Sequence, residues 1–171
     1  MTAIENREQT DVAFSAETKV EFEEILTHYP NKRAAVMPVL WLAQREFGWI
    51  SRQVEAYVAS LLEIPEAGVE GVVSFYTMYY RRPMGRHHIQ VCTNLSCRLR
   101  GAADVLGAIS HRVGVDPGDT TKDMEFSLDK AECLGACGGA PVVHVGDRCF
   151  EDVDVDKALE LVDRLNSGEG G

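Results

Sequence analysis

Apolar residues recur at helical spacing through the first half of the chain, and in the second half they alternate in short runs at strand spacing. Over residues 17–28, Val20, Phe22, Ile25 and Leu26 fall toward one side of a helix. Pro30 interrupts this pattern, and Asn31 offers an acceptor for the start of a second helix near Lys32. That helix reads on to Phe47 and is strongly apolar, with Ala34, Val36, Met37, Val39, Leu40, Trp41 and Leu42. Pro38 lies inside it without an N–H, which predicts a kink there or a later helix start. Gly48 supplies a stop. Ser51 caps a third helix bearing Val54, Tyr57, Val58, Leu61 and Leu62, and Pro65 fits the first turn of a short fourth that runs toward Tyr76.

The texture changes at Arg81-Arg82-Pro83-Met84-Gly85, where the pattern places a domain boundary. Beyond it, residues 88–91 alternate as a strand, 101–113 read as a helix and 125–128 as a second strand. Residues 142–150 read as a hairpin turning at Gly146-Asp147. An amphipathic helix over 154–165 closes the chain with Val155, Ala158, Leu159, Leu161, Val162 and Leu165. The expected division is a flexible tail over 1–14, a helical bundle over 15–82, a small α/β layer domain over 83–166 and a second tail over 167–171.

Charge and composition narrow the function. Lys and Arg number 17 against 27 Asp and Glu, a net charge of −10, the opposite of what phosphate neutralisation requires. No run of about 18 apolar residues exists to span a membrane. The N-terminus has no apolar stretch after a basic start, so a cytoplasmic location is the default expectation. In that compartment thiols stay reduced, and 5 cysteines point to metal or redox chemistry rather than disulfides.

Four of the five cysteines form two close pairs, Cys92-x4-Cys97 and Cys133-x3-Cys137. Each pair falls in an expected loop, after the first and second strands, so both can meet at one end of the sheet. Their loops carry small or polar residues, Thr93 to Ser96 in one and Leu134-Gly135-Ala136 in the other, with Gly138-Gly139-Ala140-Pro141 following. Small residues let a chain wrap a metal–sulfur cluster closely and aim N–H groups at sulfur. Other readings stand beside this one. A structural zinc site uses four thiolates but usually with gaps of about two. A thiol redox pair wants Cys-x-x-Cys, which neither pair has. Plant-type ferredoxin spacing fails because no cysteine follows Cys97 at its third position. Four buried structural thiols are the remaining reading.

Cys92-Thr93-Asn94-Leu95-Ser96-Cys97 with Arg100-Gly101-Ala102, and Glu132-Cys133-Leu134-Gly135-Ala136-Cys137 with Ala140-Pro141, resemble the two halves of the thioredoxin-like [2Fe–2S] ferredoxin signature. Gln44-Arg45-Glu46-Phe47-Gly48-Trp49-Ile50 and Gly71-Val72-Val73-Ser74-Phe75-Tyr76 resemble the helical region of one family. That family is the E-type subunit of NADH-quinone oxidoreductase, the small iron–sulfur subunit of respiratory complex I. The likeness runs from about residue 17 to 165. It implies a mixed α and β chain, an N-terminal helical bundle followed by a thioredoxin-like domain. It also implies a [2Fe–2S] cluster on Cys92, Cys97, Cys133 and Cys137, with no catalytic residue on this chain. The expected partners are the F-type flavoprotein that binds FMN and NADH, and the larger, G-type iron–sulfur protein. Related subunits serve NAD-reducing hydrogenases and formate dehydrogenases.

Lesser features receive plainer expectations. No Gly-x-Gly-x-x-Gly or phosphate-loop motif is present, so NADH chemistry belongs elsewhere. Cys149 reads as a small buried strand residue rather than a fifth ligand. His87, His88 and His144 read as ordinary strand histidines, Trp41 and Trp49 as bundle core, and the aromatic run Phe75 to Tyr80 as core and domain packing. The acidic total should lower a cluster's reduction potential, while Arg98 and Arg100 should raise it.

Overall fold

The computed structural model describes residues 12–168, which divide after Pro83 into two compact units. In the first, four helices share one core: α1 (Ala16–Thr27), α2 (Val36–Phe47), α3 (Arg52–Leu62) and α4 (Glu66–Phe75). Their ends follow from the caps. Ser15 Oγ accepts from Thr18 N at 3.2 Å, Asn31 Oδ1 from Ala34 N at 3.0 Å and Ser51 Oγ from Val54 N at 3.2 Å. Asn31 caps a 3-10 turn over Lys32–Ala35, and the α-helix begins after it, at Val36. Pro38 therefore sits in the first turn, where its missing N–H has no helical partner to lose. Gly48 ends α2 at φ 82°, a conformation open to glycine.

Val39, Leu40, Leu42, Val54, Val58, Leu62, Val69 and Val73 fill this core. Gln44, itself buried, reaches the segment after α4: its Nε2 donates to Met78 O at 3.0 Å and its Oε1 accepts from Tyr80 N at 2.6 Å. These bonds replace the ladder that an irregular segment cannot make with itself.

Several expectations are corrected here. Residues 1–11 of the first expected tail lie outside the described residues, but Phe14 is 3% exposed and packs against Phe22, Phe47 and Tyr57. Ser15 and Thr18 both bond the Glu46 carboxylate, which holds this segment on α2. Ser167 and Gly168 of the second expected tail complete the last helix's C-cap, while residues 169–171 lie outside the described residues. Val20 is exposed because the α1 stripe facing the core passes through Phe22, Ile25 and Leu26. Trp41 is exposed too, touching Tyr79 edge-on at 6.0 Å, and Trp49 is only half-buried. Helical periodicity names a stripe, and an indole at its edge meets solvent. Of the aromatic run, Tyr79 is buried but Phe75 and Tyr76 are exposed.

The second unit is a four-stranded mixed sheet with strand order β2-β1-β3-β4. Its strands are β1 (His87–Cys92), β2 (Phe126–Ala131), β3 (Val143–Val145) and β4 (Arg148–Phe150). β1 and β2 pair in parallel, and the other neighbours are antiparallel. A parallel pair needs a crossover, supplied here by α5 (Leu95–Leu99) and α6 (Ala102–Val113). The terminal helix α7 (Val155–Asn166) starts on Asp154, whose side chain accepts from Lys157 N at 2.8 Å. Ile89, Val91, Phe126, Leu128, Val143 and Val145 face Val105 and Ile109 of α6 and Ala158, Leu161, Val162 and Leu165 of α7. Burying one sheet face under two helices is the dominant favourable term for such a layer. The chain enters β1 flush against β2, with Gly85 N donating to Ser127 Oγ at 2.7 Å.

Candidate metal centre

Because β1 and β2 run in parallel, both strands deliver their C-terminal ends to the same edge of the sheet, with Cys92 opposite Ala131. Cys92 is thus the last residue of β1 rather than a loop residue, and its N–H bonds Val142 O at 3.0 Å. Thr93 then ties the first cysteine segment to the second: its N–H and hydroxyl both donate to Ala131 O, at 2.8 and 3.1 Å. Asn94 caps α5 through Leu95 N at 2.9 Å and donates from Nδ2 to Glu132 O at 3.2 Å. Cys97 lies on α5, a short helix inside what reads in sequence as a loop. Cys133 follows β2, and Cys137 opens a 3-10 turn over Cys137–Gly139.

All four expected ligands are brought together. Cys92 and Cys97 are buried, Cys133 and Cys137 exposed, and an apolar rim of Ala102, Leu134, Ala136, Ala140 and Val142 surrounds the buried pair. Burial pushes Cys92 up, but hydrogen bonds from the Asn94 and Leu134 amides and from the Cys97 and Cys133 thiols outweigh it, and the net shift is downward. Cys97 is pushed up, first by burial and then by its bond to Cys92, against an opposing bond from Val142 N–H. Cys137 is near enough to Cys97 to repel its charge. The thiols therefore meet in pairs, Cys92 with Cys97 and Cys133, Cys97 with Cys137. Among the described residues no three His, Cys, Asp or Glu side chains form a cage for a single ion.

This donor set fits a two-iron cluster. It offers four soft sulfurs, amide N–H groups aimed at two of them and small residues at Gly135 and Ala136. The remaining candidates stay outside it. Cys149, expected to be buried, is exposed on the edge strand β4, where it stands opposite His144. Among the described residues the hairpin leaves that strand without a neighbour on its far side. His88 is buried and bonds Asp129 Oδ2 through Nε2 at 2.7 Å. His87 stacks obliquely on Phe126 at 5.5 Å. Two residues bonded to the cysteine segments, Asn94 and Asp152, have no part in the ligand set read from the sequence. Asn94 carries a readable signal, an N-cap residue three positions before Cys97. Asp152 carries none, because its proximity is purely tertiary.

The thioredoxin-like [2Fe–2S] ferredoxin family model matches residues 22–166. The chain belongs to that family. Its relatives agree with the resemblance read from the residues. The chain is 39% identical over 165 residues to the E-type subunit of NADH-quinone oxidoreductase from Rickettsia bellii, covering 95% of this chain and 99% of the relative. It is 36% identical over 168 residues to "NADH dehydrogenase [ubiquinone] flavoprotein 2, mitochondrial" of Dictyostelium discoideum, covering 96% of this chain and 68% of that one. Among solved structures, an NAD+-reducing [NiFe]-hydrogenase superposes with a TM-score of 0.68 at 18% identity, over 78% of this chain and 23% of that chain. That likeness concerns the fold alone. The expected mixed architecture with a thioredoxin-like ferredoxin fold stands.

Proposed function

We propose that Cys92, Cys97, Cys133 and Cys137 hold one [2Fe–2S] cluster, and that the chain is a non-catalytic electron-carrier subunit of an NADH-quinone oxidoreductase. The observation that carries this reading is the convergence of four thiols from two chain segments at the C-terminal end of a parallel strand pair. A relative at 39% identity, named as the E-type subunit of that oxidoreductase, favours the quinone-linked complex over the hydrogenase or formate dehydrogenase versions.

When bound, the cluster supplies one-electron redox chemistry. The chain's own residues hold and shield it. Cys92 and Cys97 anchor the buried side, with Asn94, Leu134 and Val142 N–H groups directed at their sulfurs. Cys133 and Cys137 lie on the exposed side, where the path to a partner is shortest. Leu95 and Leu99 are both exposed on α5, the helix that carries Cys97. The partner is the F-type flavoprotein carrying FMN and the NADH site, which exchanges single electrons with this chain. The larger, G-type iron–sulfur protein lies nearby. Among the described residues no helix is long and apolar enough to cross a membrane, in keeping with a place in the cytoplasmic peripheral arm of a membrane-bound complex. Residues 15–82 act as an N-terminal helical bundle, and exposed Phe75 and Tyr76 make it a docking element for that complex.

The test is anaerobic purification followed by visible and EPR spectroscopy. The expected result is broad visible absorption that bleaches with dithionite, with about one EPR-active spin per chain. Colourless protein with stoichiometric zinc would instead leave a zinc-stapled scaffold module.

A further inference from the structure

The two cysteine segments are the obvious walls of the site, but a third segment reaches it from the far side of the hairpin. After β4 the chain turns a corner at Glu151-Asp152-Val153. Asp152 adopts φ 51°, a left-handed conformation that costs a non-glycine residue free energy. It is held there by several bonds. Asp152 N donates to Gly139 O at 2.6 Å, Val153 N to Pro141 O at 3.0 Å, and Lys157 Nζ to Asp152 O at 2.8 Å. The first two bonds land on the stretch that directly follows Cys137.

Gly139 fits this corner for reasons of space rather than backbone angle. A Cβ there would lie 1.9 Å from Glu151 Oε2 and 2.7 Å from Glu151 Cβ. The second of those contacts is near the backbone and cannot swing away. The corner also reaches the first cysteine segment: Asp152 Oδ1 lies 3.6 Å from Arg100 Nη2, and Arg100 N donates to Cys97 O at 3.1 Å. Both ends of that ion pair are 62% exposed, so it contributes little beside the backbone bonds.

We infer that Asp152 is a positioning residue for the metal centre, its left-handed backbone holding the Cys137–Gly139 turn in place beside the Cys97 segment. This inference rests on the proposed reading of the four cysteines. Its action is geometric: the amide of Asp152 fixes the Gly139 carbonyl, and the Gly139 surface fixes Glu151. A residue that resists the left-handed conformation would swing the corner out and free the second thiol pair.

The experiment uses the full chain with its cluster, purified anaerobically, in four variants. Asp152→Val opposes the backbone angle, Asp152→Gly permits it without a side chain, Asp152→Asn permits it without charge, and Gly139→Ala pushes the corner from the other side. Cluster loss to excess EDTA is followed by visible absorbance, and the reduced cluster's EPR line shape is recorded. We expect D152V and G139A to lose cluster about tenfold faster, with altered EPR anisotropy, and D152G and D152N to stay within about twofold of the parent. D152V at the parental rate and line shape overturns the inference, as does D152N as impaired as D152V, which would make charge the cause. Should D152V fail to fold, G139A is judged against D152G by the same criteria. A parent chain without iron overturns the cluster reading itself, and this shows before any variant is made.

Discussion

Replacing Asn94 by Ala tests how tightly the two cysteine segments are fastened. Asn94 Oδ1 caps α5 through Leu95 N at 2.9 Å, and Nδ2 reaches Glu132 O at 3.2 Å, one residue before Cys133. Loss of an N-cap acceptor costs about 1 kcal/mol. A neutral hydrogen bond is worth roughly 0.5–1.5 kcal/mol, and the lower figure suits this exposed pair. The sum, about 1.5 kcal/mol, shifts a local opening equilibrium about tenfold. If cluster loss to a chelator passes through that opening, Asn94→Ala speeds it about tenfold. Asn94→Asp keeps the cap acceptor and loses only the donor to Glu132, so it speeds loss about two- to threefold. Visible absorbance of the anaerobic protein in excess EDTA gives both rates. An alanine variant within about twofold of the parent, or an aspartate variant as fast as the alanine one, refutes the reasoning.

Three further outcomes follow from the packing. Both tryptophans lie before Pro83, so their fluorescence reports unfolding of the helical unit. By that signal Phe14→Ala should cost roughly 3–5 kcal/mol, because a ring 3% exposed against Phe47 and Tyr57 is removed; a loss under about 1 kcal/mol would make the segment a tail after all. Burial raises the Glu55 carboxyl above its ordinary value, with Arg81 and Arg52 opposing and Glu70 and Glu66 adding to the rise. Its native state then binds the proton more tightly, so the stability it contributes is present below the ordinary carboxylate range and lost as pH rises through the folded value. Glu55→Gln should therefore raise the urea midpoint at about pH 7 and leave it unchanged near pH 3.5, and a lower midpoint at neutral pH contradicts this. In the sheet, a Cβ at Gly85 would lie 2.7 Å from Phe126 C and 2.9 Å from Ser127 N, both backbone atoms. Gly85→Ala should cost roughly 1–3 kcal/mol, read from urea unfolding by circular dichroism, and no measurable change would show that the approach is loose.

Much of this was legible in the sequence where the information is local. Ser15, Asn31, Ser51 and Asp154 act within a few residues of themselves, so the starts of the helical segments could be read from residue type alone. Gly48 needed only its own backbone angle. Periodicity in α7 named its buried stripe, and alternation in β1 put Ile89 and Val91 on the core face, although His88 on the other face is buried as well. The cysteine spacing marked the four thiols that the fold brings together, because one pair begins on the last residue of β1 and the other follows β2, and the two strands finish side by side.

What failed was whatever depended on a neighbour distant in the chain. Trp41 and Val20 are apolar at helical spacing yet face outward, because which part of a stripe is covered depends on the helices packed against it. Phe14 is buried because Tyr57, 43 residues later, receives its N–H at 2.9 Å. Cys149 is exposed because the hairpin leaves β4 at the sheet's edge. Asp152 stands beside the second cysteine turn only because the hairpin and the start of α7 bring it there. Residue order alone was enough to place most of the elements and to single out the four thiols that the fold brings together, since propensity, capping and donor type belong to a residue and its near neighbours; the short helix α5 and the start of α2 at Val36 were not read from it. Which apolar side chains are covered, and which third segment steadies the site, emerged only with the packed chain, since burial and long-range hydrogen bonds exist only once distant segments have met.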